Sequence, residues 1–184
     1  KRSITMELDR YFIATAQISL AIAGFAGIVA AYRNESVHEW LEVERFWLRL
    51  LLLNSILPFT FSLAGIFFLA TGPHPIAGWR FLSGFAAICL VPYAVMIIRG
   101  LRGFAPGALR AAGSGSFASF ALFSILVGVC LLQVWNATVG SAFWPYFGAI
   151  LALIIGAIFQ FVRLVLKPQR LKAVDPPNDI LEEE

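Results

Sequence analysis

Apolar residues run along this chain in long blocks. They follow neither the alternation of a half-buried strand nor the one-sided stripe of a soluble helix. Residues 11–32, 50–73 and 81–98 contain no Asp, Glu, Lys, Arg or His. Each block suits one membrane-crossing helix, which needs about 20 mostly apolar residues because its backbone N–H and C=O groups must pair internally in hydrocarbon. Residues 111–162 are also uncharged but too many for one helix, and "WNATVGSAFWPY", Trp135 to Tyr146, breaks them in two. The pattern predicts an all-α, polytopic membrane helical bundle with five spans at about 11–32, 47–71, 79–98, 117–135 and 144–166. Residues 1–168 then form the transmembrane domain and residues 169–184 a flexible cytoplasmic tail. A four-span bundle whose first helix is interfacial or re-entrant is the alternative.

Composition agrees with a membrane class: 59% of the 184 residues are hydrophobic and 14% charged, and the mean hydropathy is +0.80, outside the soluble globular range. The formal charge of +3 resides largely in residues flanking the spans. With five crossings, Arg33, Arg45, Arg49, Arg99, Arg102, Arg110, Arg163, Lys167, Arg170 and Lys172 share one side, against Lys1, Arg2, Arg10 and Arg80 on the other. The basic side is expected to be cytoplasmic and to carry the C-terminus, in a plasma or inner membrane. Such charge serves orientation and contact with anionic lipid, so no nucleic-acid partner is expected. The first apolar run is too long for a cleaved leader.

Local signals refine the elements. Ser36 followed by Glu39 fits a capping box, so the second helix is expected to begin there and to project beyond the membrane before its apolar part. Pro58 leaves the carbonyl of Asn54 without its helical donor, and a kink is expected; Pro92 has the same effect on Ile88. Trp79, Trp135 and Trp144 fall at one expected boundary and Trp40 and Trp47 at the other, as in an aromatic belt. Gln133 and Asn136 fall near the first of these boundaries, where polarity is cheap. The sequon "NAT" at Asn136 is read as chance.

Several chemistries lack their residues. No Asp, Glu, Lys or His lies in the middle of a span, which leaves no intramembrane proton relay. His38 and His74 fall on opposite sides, so they cannot jointly hold a haem or metal within one chain. Cys89 and Cys130 show no CxxC spacing and read as small buried apolar residues. "GSGS" lacks the Lys and preceding strand of a phosphate loop. Neither catalysis nor a cofactor is expected.

Three features remain. Thr15, Ser19, Ala23, Gly27 and Ala31 place a small residue at every fourth position of the first helix, a ridge along which backbones can approach closely, as membrane helices do when they associate. Asn54 with Pro58 is either a hydrogen-bonding amide between helices or part of a pore. Glu35, His38, Glu39 and Glu42 form either a solvated helix face or, in an oligomer, an acidic cytoplasmic vestibule selecting cations. Beyond the bilayer itself, the expected partners are copies of the same chain or other membrane subunits. The expected function is a small homo-oligomeric, channel-like membrane protein, with a non-catalytic accessory subunit of a larger complex as the alternative.

Overall fold

The structure, a computed structural model, describes residues 2–32, 40–71, 75–104 and 116–166. They form α1 (Arg2–Ala31), α2 (Glu42–Thr71), α3 (Pro75–Gly103), α4 (Ser116–Trp135), a π-helical turn (Asn136–Gly140) and α5 (Phe143–Leu166). No strand occurs among the described residues. Five segments among the described residues are long and apolar enough to cross a membrane: Glu7–Ala31, Glu42–Thr71, Ala77–Gly103, Phe123–Gly140 and Phe143–Val165. The acidic vestibule residues Glu35, His38 and Glu39, the capping box, His74, most of the basic loop and the C-terminal tail lie outside the described residues.

Helices α2 and α5 form the centre, α1 lies along both, and α3 and α4 pair on the other side. Phe12 of α1 meets Phe143, Tyr146 and Phe147 of α5 through ring contacts, and Ala26 packs with Leu51 and Ala157 further along. Helix α1 therefore runs parallel to α5 for the length of the bundle, and the interfacial or re-entrant alternative is set aside. Arg45, Arg49, Arg99 and Arg102 are exposed at one end of the bundle, where α2 begins and α3 ends, and Arg163 lies there half-buried. We call this the basic end.

Packing at the far end is aromatic. Phe12, Phe61, Trp79 and Tyr146 are buried, and Trp79 stacks in tilted or edge geometry on Phe68, Phe143 and Tyr146. Offset and edge contacts suit the quadrupoles of these rings. Gly65 makes room for Phe12: a Cβ there would stand 2.6 Å from the ring. In lipid, where no hydrophobic force draws helices together, such close packing and interhelical hydrogen bonds are what hold the bundle.

The structure departs from the sequence expectations in three places. First, α2 begins at Glu42 rather than at the Ser36 capping box, with the amides of Glu44 and Arg45 both donating to the carbonyl of Leu41; Trp40 docks inward at 2% exposure just before the helix starts. Second, Trp79 is likewise buried, so only Trp135 and Trp144 of the far-end trio are exposed. Third, Gln133 and Asn136 are fully buried rather than placed where polarity is cheap. Helix α2 continues through Pro58, which is itself buried.

Candidate functional site

The amide of Asn54 sits at the junction of α2, α3 and α5. Tyr93 Oη donates to Asn54 Oδ1 at 2.7 Å, and Asn54 Nδ2 donates to Gln160 Oε1 at 3.2 Å. All three side chains are buried. Gly156, one turn before Gln160, lets the amide lie against α5: a Cβ there would come within 3.1 Å of Asn54 Nδ2. The expected interhelical role of Asn54 thus has its partners inside one chain, and any pore that Asn54 lined would run through the protomer rather than between copies.

This trio borders a partly open cavity of about 60 Å³ between α2, α3, α4 and α5, in the basic half of the bundle. Apolar side chains such as Leu50, Ile97, Leu126 and Leu153 supply most of its wall, and Trp47 supplies more. No charged residue lines it among the described residues. The Arg163 guanidinium lies 4.5 Å from the Trp47 ring centroid, a cation–π contact at the basic end.

The small-residue ridge of α1 is divided between two surroundings. Thr15 and Ser19 are buried; Thr15 Oγ1 lies 2.8 Å from Ser62 Oγ of α2, while Ser19 returns its hydroxyl to the carbonyl of Thr15. Ala23 is half-buried, and Gly27 and Ala31 are exposed. The cause is helical geometry. Each residue turns the helix by about 100°, so a four-residue step overshoots one turn by about 40°, and the ridge winds from the packed side to the outside.

The outer face of α1 contains a residue that the sequence reading passed over. Gln17 is exposed near the middle of the span and has no hydrogen-bond partner among the described residues. Gly24 and Ala31 follow it at seven-residue intervals, which keep to one face with a drift of about 20° per interval. In front of Gly24 and Gly27 a Cβ would meet nothing within 4 Å. The signal was present in the sequence, since Gln17 is the only amide between Arg10 and Arg33.

Asn136 holds a third polar junction. Its Nδ2 donates to Ser83 Oγ at 2.7 Å and to the Ala142 carbonyl at 2.9 Å, while Oδ1 accepts from the amides of Ser141 and Ala142. One side chain closes the turn between α4 and α5 and ties it to α3, and its burial leaves the sequon amide inaccessible in this fold. Of the expected vestibule residues only Glu42 is described; it is exposed in the first turn of α2, where a negative charge suits the helix dipole. Comparison with protein family models, with characterised proteins and with solved structures gave no match to this chain.

Proposed function

We infer that the chain is a non-catalytic membrane protein that works as a homo-oligomer and is channel-like, its copies meeting along the outer face of α1. Its C-terminus is cytoplasmic, in a plasma or inner membrane, on the strength of the basic end. The observation carrying this reading is Gln17, an amide at mid-span turned away from its own bundle, beside Gly24 and Gly27 with open space before them. A carboxamide in hydrocarbon favours a partner, and small neighbours let a helix come close enough to supply one.

A second copy is the fitting partner. Chains inserted in the same direction place Gln17 at the same depth, and a carboxamide both donates and accepts, so it complements itself. In a closed ring the Gln17 amides would face one axis as a polar constriction. Asn54 and Pro58 then belong to the fold of each protomer.

Native mass spectrometry of the solubilised particle, paired with disulfide trapping of a Gly24→Cys variant in membranes, tests the assembly. A discrete oligomer of identical chains and efficient symmetric trapping are expected. A monomer would refute the assembly, and co-purifying different subunits would favour the accessory-subunit alternative. Planar-bilayer recordings test the channel: Gln17→Leu should change conductance or selectivity, and silence of the wild-type oligomer would refute the channel reading.

A further inference from the structure

We propose that the cavity beside Asn54 binds a neutral, lipid-soluble molecule through a carbonyl oxygen. The donor comes first. Gln160 lines the cavity and is only 7% exposed. Its Oε1 is occupied by Asn54, whereas its Nε2 has no hydrogen-bond partner among the described residues. Trp47 stands in the same wall through its ring, its Nε1 being closed off from the space. The Gln160 Nε2 is not closed off in this way, and an amide nitrogen can only donate. The complementary ligand atom is therefore an acceptor oxygen.

The walls select the rest of the ligand. Leu50, Ile97, Leu126 and Leu153 offer hydrocarbon contact, and no charged side chain lines the space among the described residues. An ion would lose its hydration there without a counter-charge, so the occupant is neutral. The enclosed volume, about 60 Å³, suits the polar end of a molecule whose hydrocarbon remainder leaves through the opening; Ile125, a lining residue, is 52% exposed. A membrane-dissolved ketone and the ester of an acyl lipid share this chemistry.

The test uses the full chain in phosphatidylcholine nanodiscs. The probe is a straight-chain methyl ketone carrying a diazirine in its chain, with the ketone-free alkyl diazirine as control. After irradiation and peptide mass spectrometry, the ketone should label α2, α4 and α5 around residues 47–54, 123–129 and 152–160 saturably, well above the alkane. Gln160→Met should reduce apparent affinity about three- to tenfold, the worth of one hydrogen bond, and Ala152→Leu should block labelling by filling the space. Near-UV circular dichroism and a thermal melt identify which variants fold, and only those are scored. Displacement by excess unlabelled ketone identifies a free ketone as ligand. Displacement by added phosphatidylcholine in detergent identifies the lipid ester, again supporting the carbonyl site. Equal labelling by the alkane, or affinity unchanged in every folded variant, would overturn the proposal.

Discussion

At the scale of single residues, the fold depends on a few amides whose donors and acceptors are used within the chain. Asn136 makes four hydrogen bonds that join the turn between α4 and α5 to α3. Asn136→Leu should therefore destabilise the bundle by about 2–4 kcal/mol, since buried partners left unpaired each cost on the order of 1–3 kcal/mol; unfolding in a denaturing detergent series reads the change. Ser141, at φ 84°, is the one non-glycine residue in the left-handed region among the described residues. Ser141→Gly should raise stability by about 1 kcal/mol because glycine adopts that conformation without strain, measured as a higher melting midpoint. These amides were hard to place from sequence. A position near the end of an apolar run reads as membrane boundary, and only the approach of Ser83 from another helix makes Asn136 interior. The polarity of Asn54 was legible, but its partners Tyr93 and Gln160 lie far along the chain and carry no local signature.

Individual helices show why span positions were legible and facing directions were not. Hydrocarbon thickness dictates helix length, so uncharged runs locate the spans almost unaided. Direction is harder, because lipid and protein interior are both apolar and the usual hydrophobic stripe is absent. The four-residue ridge of α1 illustrates this: its winding takes Thr15 inward and Gly27 outward. Two substitutions separate the roles of the two faces. Gly65→Ala forces the Phe12 ring to shift and should cost about 1–3 kcal/mol in stability, with no direct effect on assembly. Gln17→Leu should behave in the opposite way, leaving the isolated protomer as stable or more so while weakening association by about 1 kcal/mol. Thermal melts of the protomer and dilution-dependent native masses report the two quantities separately.

For the whole molecule, alternating helix directions and the grouping of Arg45, Arg49, Arg99, Arg102 and Arg163 at one end make a simple topology claim. In intact cells, a membrane-impermeant thiol reagent should reach Arg80→Cys but not Arg102→Cys, each in a background lacking Cys89 and Cys130. The reverse labelling would invert the orientation. The cavity beside Asn54 has a mechanical consequence as well. Hydrostatic pressure favours states of smaller volume, and a void left unfilled by side chains is the volume a protein can surrender. The basic half of the bundle, which holds this cavity, should therefore be the more compressible half. A ligand that fills the space would stiffen it against compression without altering the fold.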